Sequence, residues 1–118
     1  VKKLLEKKYS TKIIMCKTIR NNKGLALSSR NKLLSKKQIN IAEKVITSLK
    51  LLKIKLKRSD QIEKKLTIEK KILEKKFNFK IQYLELRNKK NFKKTNKLKN
   101  SKLFVAFFLK KVRLIDNF

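Results

Sequence analysis

Residues 17–35 read KTIRNNKGLALSSRNKLLS and hold the only glycine of the chain, Gly24, together with Ser28, Ser29 and Arg30 side by side. Two hydroxyls, adjacent backbone amides and one guanidinium are the components of a phosphate clamp. The stretch follows an apolar, β-branched run, Thr11 to Cys16, and precedes a long amphipathic pattern. It therefore sits where a strand hands over to a helix, the place where α/β folds hold nucleotides. Gly24 is expected to supply a backbone shape barred to other residues rather than a ligand contact. Taken alone, Ser28 and Ser29 fit a turn cap equally well, and Arg30 fits a solvated surface charge.

Downstream, Ser35 followed by Gln38 is a capping-box pattern and marks a helix start. Ile39, Ala42, Val45, Ile46, Leu49, Leu52 and Leu56 then recur at three- and four-residue spacing, one apolar stripe over about five turns. Arg58 to Asp60 interrupts it. Asp60 with Glu63 repeats the capping logic, and Ile62, Leu66, Ile72 and Leu73 mark a second helix ending near Lys76. From Phe77 the period changes: Ile81, Tyr83, Leu84 and Leu86 predict a strand, a polar loop runs from Arg87 to Ser101, and Leu103 to Leu109 is a second strand. Val112 to Ile115 predicts a last short strand. Lys110 and Lys111 are awkward residues for a two-residue hairpin, which favours positive φ, so a longer turn is expected there. Two helices against a small antiparallel sheet make an α+β layout.

Upstream, Val1 to Lys8 reads as the end of a helix, with Leu4 and Leu5 as its buried candidates. Lys12 to Thr18 carries Ile13, Ile14 and Met15 in succession, the pattern of a parallel strand covered on both faces, with Cys16 a buried small hydrophobe. One strand cannot make such a sheet, so the rest of it is expected in sequence preceding Val1, and the N-terminus reads as a cut rather than a signal peptide.

The chain has 118 residues and a formal net charge of +28. That length suits one domain with a modest core. A single cysteine and no histidine exclude a disulfide framework and any His/Cys zinc or haem site. The longest apolar run falls far short of the ~20 residues of a membrane-spanning helix, so a cytoplasmic chain without a membrane partner is expected. The positive charge suggests polyanions. Against that, the cations are overwhelmingly lysines spread through every element, whereas base and phosphate recognition favours arginine forks gathered on one face. Abundant lysine, asparagine and isoleucine without proline fit coding drift, and long lysines can cover apolar helix surface with their ammonium in water.

Thr18-Ile19-Arg20, the run from Gly24 to Asn31 (GLALSSRN) and the C-terminal Arg113-Leu114-Ile115-Asp116-Asn117 together resemble the pantoate–β-alanine ligase family. The resemblance spans the chain, with the two central helices matching in pattern only. It implies an AMP-forming ligase of the coenzyme A pathway that adenylates pantoate with ATP, releases pyrophosphate, and joins the pantoyl group to β-alanine to give pantothenate. The fold implied is a C-terminal lid of two helices on an antiparallel sheet of about three strands. Before it would come the last helix and strand of a Rossmann-like α/β domain, with residues 1–18 belonging to that domain and 19–118 to the lid. A homodimer through the N-terminal domain, and magnesium with the ATP, are further implications. Ile19, Leu27, Ser28, Ser29 and Arg30 fall at positions that bind ATP in the family. Arg30 and the two serines would hold phosphates, Leu27 would contribute backbone contacts, and the Ile19 main chain would touch adenine. No metal ligand and no catalytic residue are identified in the chain, which lacks the family's histidine motif, and the chain alone is expected to be inactive. Arg113 and Asp116 are expected to pair with each other and close the small sheet. Three positions depart from the family: Lys17 stands for a proline, Lys110-Lys111 for a glycine-containing turn, and Asn88 for an aspartate.

Two rivals remain. One is a basic nucleic-acid-binding module with Phe77, Phe79, Tyr83 and Phe92 as stacking platforms. The other is a non-functional remnant of the ligase.

Overall fold

The protein is described as a computed structural model covering residues 5, 7–9, 12–14, 16–57 and 60–118. Two helices, α1 (Lys36–Leu56) and α2 (Ile62–Phe77), precede three strands, β1 (Lys80–Asn88), β2 (Ser101–Leu109) and β3 (Val112–Asn117). The strands form one antiparallel sheet in the order β1-β2-β3. The α+β layout expected from the sequence is the one observed.

Helix α1 starts at the expected capping box. Ser35 Oγ accepts from the Gln38 N–H at 3.3 Å, and Gln38 Oε1 accepts from the Ser35 N–H at 2.8 Å. Two donors that a helix start leaves unsatisfied are thereby used. Its stripe from Ala42 to Leu56 is buried, with Ile39 half-buried beside it. Helix α2 departs from expectation at its start: Gln61, not Asp60, is the N-cap, and no side chain caps it. Ile62, Leu66 and Leu73 are buried, whereas Ile72 lies exposed because the face it occupies points away from the sheet. The helix ends at Asn78, whose φ of 51° turns the chain into β1. Glu74 Oε1 accepts from the Ile81 N–H at 2.8 Å and ties the helix end to a bulge in β1 between Ile81 and Tyr83.

The core lies between the helices and one sheet face. Leu103, Val105, Phe107 and Leu109 of β2 meet Ile81, Leu84 and Leu86 of β1, Leu114 of β3 and the two helix stripes. Phe79 closes edge-on against Phe107 at 5.5 Å between ring centroids. The β2–β3 hairpin is the tight one: Leu109 pairs with Val112, and Lys110 takes φ 53° while Lys111 stays at negative φ. The strand twist demands positive φ even where no glycine is present, so the longer turn expected there does not form.

The predicted strand at Lys12 to Thr18 does not form: residues 12–14 and 16–18 have no strand pairing, and Met15 lies outside the described residues. Ile14 is 76% exposed and Cys16 is exposed, not buried. A continuous apolar run becomes a strand only between two covering layers, and the described residues provide neither layer nor a neighbouring strand for it. Leu5, Lys7 and Lys8 are helical, with the Tyr9 N–H donating to the Leu5 carbonyl at 2.8 Å; Leu4 lies outside the described residues. No described helix is long and apolar enough to cross a membrane.

Candidate functional site

The segment before α1 folds back on itself. Arg20 and Ala26 face each other as an isolated antiparallel bridge, with the Asn21 N–H donating to the Leu25 carbonyl and the Leu27 N–H to the Ile19 carbonyl, both at 2.9 Å. The reversal is a turn from Asn21 to Gly24, closed by the Gly24 N–H on the Asn21 carbonyl at 2.8 Å. Asn21 Oδ1 also accepts from the Lys23 and Leu25 N–H groups, at 3.1 and 3.0 Å. Gly24 sits at φ 86°, and this rather than crowding requires glycine, since the atom a Cβ would meet first is the flexible end of Lys50.

The chain then leaves the bridge and enters a short 3-10 turn, Ser29–Leu33, that packs on β3. Ser28 Oγ accepts from the Arg30 N–H at 3.3 Å, so this hydroxyl caps the turn while its own proton stays available to a ligand. Ser28, Ser29 and Arg30 are all exposed. The Arg30 guanidinium makes no hydrogen bond or ion pair with any described residue. Ile19 and Leu27 lie adjacent across the bridge, their side chains 72% and 59% exposed. All five residues singled out in the sequence are thus on one continuous exposed edge. Asn31 Nδ2 donates to the Ala26 carbonyl at 3.0 Å and holds the turn against the bridge.

Two anchors fix this loop to the core. Asn21 Nδ2 donates to Glu43 Oε1 on α1 at 2.7 Å, and Lys23 Nζ meets Glu43 Oε2 at 3.0 Å. Arg20 reaches the C-terminal strand: Nη1 donates to Asp116 Oδ2 at 2.5 Å and Nη2 to Asp116 Oδ1 at 2.8 Å. The same guanidinium bonds the Gly24 and Asn117 carbonyls, at 3.0 and 3.3 Å, and lies over the Phe118 ring. The hydrogen bond to Asp116 raises the Arg20 pKa above its ordinary value. The expected Arg113–Asp116 pair is therefore absent. Arg113 Nε instead donates to Gln82 Oε1 at 2.9 Å, because neighbours at odd separation on β3 point to opposite faces of the sheet.

Arg20 and Asp116 anchor this loop, and sequence reasoning did not bring them together beside it. A signal was present. The sequence has five arginines against 31 lysines. A planar fork is needed only where several acceptors must be met together. Arg20 and Arg87 make such forks, Arg113 bonds Gln82, and among the described arginines only Arg30 has no protein partner.

A cavity of about 40 Å³ is shared by Ser28, Arg30, Asn31, Arg113 and Asp116. Wider clefts of about 500 Å³ between α2 and β1, and about 830 Å³ beside the Asn22–Gly24 turn, are lined by none of Ser28, Ser29 and Arg30.

A family model described as pantoate-beta-alanine ligase matches residues 1–118. The chain belongs to this family. Pantothenate synthetase of Francisella tularensis subsp. novicida (strain U112) is 38% identical over 109 residues, 92% of this chain and 33% of that protein. The pantothenate synthetase of subsp. tularensis (strain WY96-3418) matches with the same figures. The crystal structure of pantoate-beta-alanine ligase from Francisella tularensis complexed with beta-gamma ATP and beta-alanine superposes with a TM-score of 0.65 at 34% identity, covering 99% of this chain and 37% of that one. The chain spans about a third of the length of these pantoate–β-alanine ligases.

Proposed function

We propose that this chain is the C-terminal portion of an AMP-forming ligase that condenses pantoate with β-alanine, and that the edge made by Ile19, Leu27, Ser28, Ser29 and Arg30 holds ATP. Residues 19–118 form the lid of that enzyme, and residues 1–18 belong to the domain it closes on. In the first step a pantoate carboxylate oxygen attacks the α-phosphorus, and the bond to the β-phosphate breaks to release pyrophosphate. In the second, the β-alanine amine attacks the acyl carbon, loses a proton and expels AMP.

The observation that carries this reading is the unpartnered Arg30 guanidinium beside the Ser28 and Ser29 hydroxyls on an anchored loop. Charge moves toward the leaving pyrophosphate during adenylation, and a preoriented cation and donors stabilise that change more than they stabilise bound ATP. The Ile19 carbonyl accepts from the Leu27 N–H in the bridge, and the Ile19 main chain is the part of this edge assigned to adenine. The related Francisella tularensis ligase was crystallised with beta-gamma ATP and beta-alanine, which supports ATP as the class of ligand.

Among the described residues none beside the loop fits as a magnesium ligand. Asp116, the carboxylate nearest the loop, is spent on Arg20 and the Asn117 N–H, and Glu43 on Asn21 and Lys23. Among the described residues no three His, Cys, Asp or Glu side chains converge. The homodimer and the cytoplasmic setting belong to the same reading of the complete enzyme.

The nucleic-acid alternative loses most of its platforms: Phe77 and Phe79 pack on the core and Tyr83 is half-buried, whereas Phe92 stays exposed with an edge-on contact to Phe104. The test is Arg30→Ala in the complete ligase, read by pantoate-dependent ATP–pyrophosphate exchange. A loss of about 10²- to 10³-fold is expected for a donor aimed at transition-state charge. Exchange within about threefold of the unaltered enzyme would return Arg30 to the surface charges.

A further inference from the structure

We propose that Asp116 and Arg20 are positioning residues for adenylation: their ion pair sets the phosphate loop against the C-terminal strand, so that Arg30 and the two serines meet ATP in register. This rests on the assignment of Ser28, Ser29 and Arg30 to the phosphates.

Three features distinguish the pair from an ordinary surface bridge. First, it is shielded, with the side chains 23% exposed for Arg20 and 6% for Asp116. Removing one partner strands a largely buried charge. Second, a single guanidinium joins separate stations: the turn at the Gly24 carbonyl, β3 at Asp116 and the Asn117 carbonyl, and the ring of Phe118. Asp116 Oδ1 also accepts from the Asn117 N–H at 2.7 Å, which fixes the carboxylate in its own plane. Third, Asp116 lines the same small cavity as Ser28 and Arg30.

The other ties of the loop do not do this work. Asn31 to Ala26 is internal to the loop, and Asn21 to Glu43 leads to α1. Among the described residues the Arg20 fork alone bonds the loop's side chains to β3, the strand on which the 3-10 turn rests. Arg20 and Asp116 are not themselves members of the apolar core, although the Phe118 ring beneath the guanidinium packs against it. There is also an electrostatic consequence. A guanidinium freed from Asp116 competes with Arg30 for the triphosphate, and phosphates drawn to Arg20 are drawn out of line with the acyl acceptor.

The experiment uses the complete ligase that carries this sequence, with Asp116→Asn and Arg20→Lys, and reads the two half-reactions separately. ATP–pyrophosphate exchange reports adenylation, and β-alanine attack on supplied pantoyl adenylate reports the second step. Exchange should fall about 10- to 100-fold in Asp116→Asn with a raised KM for ATP, while attack on the preformed adenylate stays within about twofold. Arg20→Lys keeps the cation but loses the fork and should show the same split. In an Arg30→Ala background, Asp116→Asn should cost no more than about threefold further, since the group it positions is gone. Equal loss in both half-reactions, full additivity with Arg30→Ala, or unchanged exchange would each overturn the proposal. If Arg30→Ala is itself silent, the phosphate assignment fails and the positioning role falls with it. If Arg30→Ala is impaired and Asp116→Asn is not, the positioning role alone fails.

Discussion

Lys110 holds a φ of 53° at the first position of the two-residue turn between β2 and β3. A left-handed backbone costs an ordinary L-residue about 1–2 kcal/mol relative to glycine, and the Lys110 side chain is exposed and makes no compensating bond among the described residues. Lys110→Gly should therefore stabilise the domain by about 1 kcal/mol, partly offset by the greater freedom of glycine in the unfolded chain. A chemical-denaturation midpoint that stays put or falls would show that the turn is not strained. Gly24 meets the same backbone demand, and there the sequence does supply glycine, at φ 86°. One position was legible because glycine announces itself; the other was not, because nothing in a lysine pair signals a left-handed backbone.

At the scale of elements, β1 and the 89–100 loop are joined by a charged cluster. Arg87 Nε and Nη2 donate to Glu85 Oε2 at 2.8 and 2.5 Å, Arg87 Nη1 donates to the Phe92 carbonyl at 2.8 Å, and Lys94 Nζ meets Glu85 Oε1 at 2.8 Å. Burial pushes the Glu85 carboxyl up, and the hydrogen bonds from Lys94 and Arg87, with their charges, more than reverse it, leaving the pKa below its ordinary value. A carboxylate held lower in the folded state than in the unfolded one binds fewer protons when folded. Its stabilisation is therefore present above the unfolded value of about 4.3 and is lost as pH falls through the lowered folded value. Glu85→Gln should lower Tm at pH 7 and flatten the acid limb of the Tm–pH curve. Parallel curves for the two proteins would remove Glu85 from the acid response.

Across the whole molecule, the net charge of +28 governs behaviour at long range. Crowding is visible at Lys53, whose pKa is lowered by burial first and then by repulsion from Lys89, Lys102 and Lys57. The folded state therefore favours the charged form of this lysine less than the unfolded chain does. A polycation of this kind should bind duplex DNA at low salt whatever its role, through counterion release. Among the described residues the exposed, unpartnered guanidinium of Arg30 stands alone rather than in a cluster, so binding should ignore sequence and vanish near physiological ionic strength. Fluorescent oligonucleotides of several sequences, titrated at low and at physiological salt, check this. Tight, sequence-selective binding at the higher salt would mean that the lysines serve a nucleic-acid partner.

The sequence by itself determined the features whose forces act over a few residues: the capping box at Ser35 and Gln38, the apolar stripe of α1, the glycine turn, and the continuous apolar run that becomes β2. Periodicity and short-range hydrogen bonds write these into the chain, and the loop motif with its three arginine-bearing segments carried the family. Only the tertiary structure decided what depends on contacts across long sequence separations. The residues from Lys12 to Thr18 read as a strand but have no covering layer among the described residues, so their local propensity goes unused. Asp116 has an arginine three residues away, yet the sheet turns that neighbour toward Gln82 and brings up Arg20 from 96 residues away. A carboxylate's partner is chosen by whichever guanidinium the packed fold delivers with its fork in plane, and spacing along the chain does not encode that delivery.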